Sequence, residues 1–215
     1  MQRQSAAIVV VACLATLAGC GFITGSEALA VSASPATPTD DALSETGYEE
    51  QSVEEQVVTR NFSAAGQTRT VEVTNQLAQY ERSVDLGPLG SQRAAVFVTF
   101  ASPEVSVAGQ TFNPIADLSE REILQRFESQ YSDISVGEEV GSQTVSTLGQ
   151  STELQQFDGS ATLGGSEVDI YIHVTKFQHE GDYIVGVGIY PQRLDGESEN
   201  VVTLVEGLEH DGEES

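Results

Sequence analysis

Apolar and polar residues alternate along most of the chain, the two-residue period of half-buried strands. Tyr48–Phe62 and Thr68–Tyr80 read as two strands joined across Ser63–Gln67, with Val71, Val73 and Leu77 on one face of the second. Ala94–Phe100 is a nearly continuous apolar run, the pattern of a strand covered on both faces. Pro103 breaks it, and Val105 and Val107 begin a return that stops at Gly109. Val140–Leu148 and Ser151–Leu163 are two further strands, separated by Gly149-Gln150. Leu29, Val31 and Ala33 alternate up to Pro35, as a short edge strand does.

Two turn signals fix a register. Gly164-Gly165 and Glu180-Gly181 each suit a two-residue hairpin. The first sets Ala161 opposite Val168 and Phe157 opposite Ile172; the second sets Val174 opposite Val187 and Ile172 opposite Ile189. Both turns place Phe157, Ala161, Val168, Ile170, Ile172, Val174, Val185, Val187 and Ile189 on one face, and that agreement supports the register. The other face holds Asp169, Tyr171, His173 and Thr175 across from Tyr190, Gly188 and Gly186.

Helical spacing appears in three places. Thr39 is an N-cap ahead of Asp40 and Asp41, and Gly47 suits the closing position. Ser119 and Glu122 form a capping box, followed by Ile123, Leu124, Phe127 and Tyr131 at helical intervals. A last helix follows Gly196, with Val201, Leu204, Val205 and Leu208 as its stripe. Antiparallel hairpins with interspersed helices predict an α+β fold, a largely antiparallel sheet of about six to eight strands packed with two or three helices.

The N-terminus follows a different logic. A polar head with Arg3 precedes the apolar run Ala6–Leu17, which ends in Leu17-Ala18-Gly19-Cys20. The run is shorter than the roughly 20 residues a bilayer span needs, and its flanks suit an export signal. Leu17, Ala18 and Gly19 form a lipobox, and the Cys20 sulfur is the expected lipid acceptor. The chain then divides into a signal over 1–19, a lipidated Cys and tether over 20–26, one domain over 27–210 and an acidic tail over 211–215. Cys13 leaves with the signal and Cys20 carries lipid, so no disulfide and no Cys-based metal site is expected.

Charge narrows the class. Thirty-three Asp and Glu against nine Lys and Arg give a net charge of −24. That excludes nucleic acid as a partner and opposes binding to acidic lipid headgroups. Self-repulsion on this scale points to adaptation to molar salt, which shortens the reach of charge from about 10 Å to about 3 Å. A lipobox on an acid-rich chain whose only lysine is Lys176 resembles the surface lipoproteins of haloarchaea, a family without assigned activity. One departure is that Arg3 is followed by Gln4 rather than by a second arginine, which bears on the export route. The order of elements resembles Mog1 and PsbP-type domains and implies their sandwich.

Candidate chemistry is sparse. Glycines 186 and 188 across from Tyr171, His173 and Tyr190 leave backbone approachable, as in a ligand groove or under a closely packed helix. His173 and His179 are six apart, with Asp169, Glu180 and Asp182 near them, but nothing in the spacing makes them converge, so no metal is assigned. Asn61-Phe62-Ser63 is an N-glycosylation sequon. No dinucleotide fingerprint, phosphate loop or nucleophile elbow is present, so no catalytic residue and no cofactor is assigned. The expected protein is a binding or accessory module held to the membrane through lipid on Cys20, with another surface protein as partner. The alternative is a small carboxylate-using enzyme or a solute receptor with a groove near Tyr171 and His173.

Overall fold

The computed structural model describes residues 29–64, 67–85, 91–107, 109–130, 133–163 and 165–212. The signal, lipobox, Cys20 and tether lie outside the described residues.

The chain opens with β1 (Leu29–Ser32), β2 (Thr37–Pro38) and α1 (Asp40–Thr46). A long hairpin follows, β3 (Glu49–Ala64) and β4 (Gln67–Asp85), then β5 (Ser91–Pro103) and the small pair β6 (Val105–Val107) and β7 (Gln110–Phe112). Helix α2 (Glu120–Gln130) leads into four successive strands, β8 (Ile134–Thr147), β9 (Gln150–Leu163), β10 (Ser166–His179) and β11 (Asp182–Pro191). Helix α3 (Glu197–Glu206) and β12 (Leu208–Glu209) close the chain.

Eight of these strands form one mixed sheet. β3 lies at one edge against β4; along the other side of β4, β1 pairs in parallel over Val71–Thr74 and β5 antiparallel from Gln76 onward. β11, β10, β9 and β8 continue the sheet from β5. β12 pairs separately with β2.

This architecture corrects the expected α+β sandwich, and with it the Mog1/PsbP-like arrangement. Strand makes up 65% of the structure and helix 16%, so the protein is mostly β and sandwich-like. The helices start where the pattern puts them but are short, at 7, 11 and 10 residues, and Leu208, expected on the last helix, falls in β12. Strands instead run through positions that interrupt alternation. β4 continues past Tyr80 to Asp85, and β8 begins at Ile134 rather than Val140. Bulges at Arg82/Ser83 and at Val136/Glu139/Gly141 absorb the out-of-phase residues, so a break in period is not a break in the strand.

The predicted registers hold. Ala161 faces Val168, Phe157 faces Ile172, Val174 faces Val187 and Ile172 faces Ile189. Ile170, Ile172, Val174, Val185 and Val187 accordingly share a buried cluster with Leu124 of α2. The opposite face carries Phe97, Leu154, Phe177, Ile184 and Tyr190, covered by Val201, Leu204 and Val205 of α3. Helix α2 therefore lies on one face, and α3 with α1 beside it on the other.

Local polar bonds set those helices. Thr39 Oγ1 accepts from Ala42 N at 3.2 Å, and Gly47, at φ +71°, ends α1 in the left-handed conformation. Ser119 N–H donates to Glu122 Oε2 at 2.9 Å and Ser119 Oγ accepts from Glu122 N at 3.3 Å, the reciprocal capping box. Ahead of α2, Lys176 Nζ donates to the carbonyls of Ile115, Ala116 and Leu118. A lysine on the buried face of β10 thus ties down the segment that delivers α2 to the sheet.

Candidate functional site

Tyr171, His173 and Tyr190 come together as expected, but under a helix. His173 is 1% exposed and its Nε2 lies 2.8 Å from the Tyr190 hydroxyl. The two rings stack at 5.6 Å, and Tyr171 meets Tyr190 edge-on at 6.0 Å. Burial pushes the His173 imidazole down to about 4 and the Tyr190 hydroxyl up to about 12. The His173 Nδ1 is buried without a hydrogen-bond partner, which suits a neutral ring. The space over Gly188 holds Val201: a Cβ built there would sit 2.7 Å from Val201 Cγ2. Gly186 packs against Thr175 and Phe97. Gly188 admits α3 close to the sheet, the second of the two readings the sequence left open. Asp169 is exposed, and its carbonyl accepts from Gln192 N at 3.0 Å.

A cavity lies on the other face. A space of about 630 Å³ opens between α2 and the sheet, lined by Val96, Val98, Phe100, Ile123, Phe127, Ile134 and Ile189 among others. Its size and apolar walls fall within the range of small-molecule sites. Arg93 and Arg126 are exposed lining residues; Arg93 Nη1 bonds Glu81 Oε1 at 2.6 Å. The apolar run over Ala94–Phe100 and the helical spacing of Ile123 and Phe127 mark these residues only as core. Their half-burial, which makes room for a ligand, depends on how α2 sits and has no local signal.

A third feature sits at the β10–β11 turn. His179 and Asp182 close the hairpin as directly opposed residues, with Glu180 and Gly181 at φ +48° and +91° between them. β12 pairs with β2 and so returns the C-terminal segment to this turn. His210 then places its Nδ1 3.0 Å from His179 Nδ1 and its Nε2 3.0 Å from Asp182 Oδ2. Of the five residues weighed together in the sequence, His179, Glu180 and Asp182 converge here, whereas His173 and Asp169 do not. His210 was not among them, because only the β12–β2 pairing reveals its proximity.

Asn61 is exposed on β3, where its Oδ1 accepts from Thr70 Oγ1 at 2.9 Å. Among the described residues, no helix is long and apolar enough to cross a membrane.

No curated protein matches the chain. Residues 35–209, nearly all of the described structure, match the family described as Domain of unknown function (DUF6517), and the chain belongs to that family.

Proposed function

We propose that the chain is a lipid-anchored, extracytoplasmic binding module of a halophilic archaeon, and that its ligand is a small, mainly apolar molecule held between α2 and the sheet. The cavity of about 630 Å³ carries this reading. Its walls are aliphatic and aromatic, and its charged lining is confined to exposed residues, the composition of a small-molecule site. The lipobox at Leu17–Cys20 and the acid-rich composition support the anchor and the saline setting. An enzyme or receptor built around Tyr171 and His173 is less favoured, since Val201 fills the space over Gly188, directly across from His173.

The test is saturable binding of a neutral phenylnaphthylamine dye by the full chain in molar potassium chloride. Val98→Trp directs an indole into the cavity and should abolish the signal while the protein still melts cooperatively. Absence of saturable binding, or unchanged binding in Val98→Trp, refutes the proposal. Separately, Cys20→Ser should move the protein from the membrane fraction to the medium or leave it uncleaved. A processed Cys20→Ser protein that stayed in the membrane would refute the anchor.

A further inference from the structure

We infer that His179, Glu180 and His210 form a binding site for a divalent transition cation of the zinc type. The site lies at the β10–β11 turn and does not depend on the apolar cavity. One nitrogen or carboxylate oxygen from each of the three residues falls within 4.8 Å of the others. A cation with ligand bonds of about 2.0–2.2 Å sets tetrahedral donors roughly 3.3–3.5 Å apart. The two histidine nitrogens are already at 3.0 Å, and the exposed Glu180 side chain closes the remaining gap by a change of rotamer.

The surrounding bonds prepare the ligands. Asp182 Oδ2 accepts from Ser34 N at 2.9 Å and lies 3.0 Å from His210 Nε2. A carboxylate only accepts, so His210 donates through Nε2, and its neutral form presents Nδ1 toward His179 as a lone pair. Imidazole backed by a carboxylate on its far nitrogen is the usual support for a metal-binding histidine, setting its tautomer and orientation. Glu180 is held by the C-terminal segment: Gly212 N donates to its Oε2 at 2.6 Å. A side chain at 212 would collide there, since a Cβ would come within 2.6 Å of Glu180 Cβ. Two imidazoles with one carboxylate suit zinc and its neighbours, whereas calcium and magnesium take all-oxygen sets. Glu180 and Gly181 are exposed, which leaves a fourth position toward water.

The experiment uses the full chain, stripped with a chelator and kept in molar potassium chloride with excess magnesium to occupy carboxylate-only sites. Titration with zinc should show one tight equivalent and raise the melting midpoint; cobalt should develop the visible bands of a nitrogen-ligated tetrahedral centre. His179→Gln should remove the tight equivalent, and Glu180→Gln should weaken it by about tenfold or more. His210 is buried, so the half-exposed His179 provides the decisive variant: without metal it should melt as the parent does. No zinc retained against magnesium, or zinc binding unchanged in His179→Gln, overturns the inference.

Discussion

The Tyr48 hydroxyl donates to the carboxylate of Glu197 at 2.7 Å, joining residues 149 apart at the foot of α3. Glu197 is fully buried, and Arg82 and Asn200 bond the same carboxylate. Burial first, then the neighbouring carboxylate, pushes the Tyr48 hydroxyl well above the usual phenol range, so it stays a donor. Arg82→Met leaves the buried carboxylate without its cation and should cost about 3 kcal/mol. Arg82→Met combined with Glu197→Met should recover only part of that loss, since the Tyr48 hydroxyl and Asn200 then lose the carboxylate they bond. Urea denaturation of the two singles and the double gives the coupling. A single Arg82→Met variant as stable as the parent would show that the pair does not hold α3.

His173 makes stability depend on pH. Its folded value is about 4, below the ordinary 6.5. The unfolded chain therefore takes up the proton first. The contribution is complete above about pH 6.5 and is lost as pH falls toward 4. For a ring this buried the loss amounts to about 3 kcal/mol. His173→Gln should flatten this part of the profile, measured as the difference from the parent between pH 7 and pH 4.5 at constant salt. Parallel profiles would mean that His173 is not the titrating group.

Gly188→Ala tests the close approach of α3. Val201 leaves no room for the methyl, and overpacking of this kind costs about 1–3 kcal/mol. Val201→Ala should partly rescue it, so that the double variant loses less than the sum of the singles. Additive losses would place the contact elsewhere.

Salt should act on the whole domain. With a net charge of −24, screening that shortens electrostatic reach from about 10 Å to about 3 Å removes a term favouring expansion. The melting midpoint, followed by circular dichroism, should rise steeply between about 0.1 and 2 M potassium chloride, with apolar burial strengthened in parallel. A midpoint unchanged across that range would sink the halophilic reading.

What was legible in the sequence was local. Glu180-Gly181 set the β10–β11 register because a two-residue turn leaves one way to pair the flanking residues. Ser119 and Glu122 marked the start of α2 because both partners of the capping box lie within one turn. The balance of strand over helix was misjudged where bulges near Ser83 and Glu139 carried strands through an irregular period. The candidate sites depended on long-range pairing. His179 and His210 are 31 residues apart and meet only through β12 and β2, and the cavity exists only where α2 crosses the sheet. Val201 over Gly188 was foreseeable as one of two occupants, but no local pattern chose between helix and ligand.

Lys176 has a practical consequence. It is the sole lysine of the chain, and its ammonium is engaged with three carbonyls ahead of α2. Amine-directed fluorophores, crosslinkers and resins therefore have one side-chain target in this protein, and acylating it removes the charge that holds that segment. Conjugation through lysine would unseat α2 rather than decorate the surface, so attachment chemistry for this protein belongs on its many exposed carboxylates.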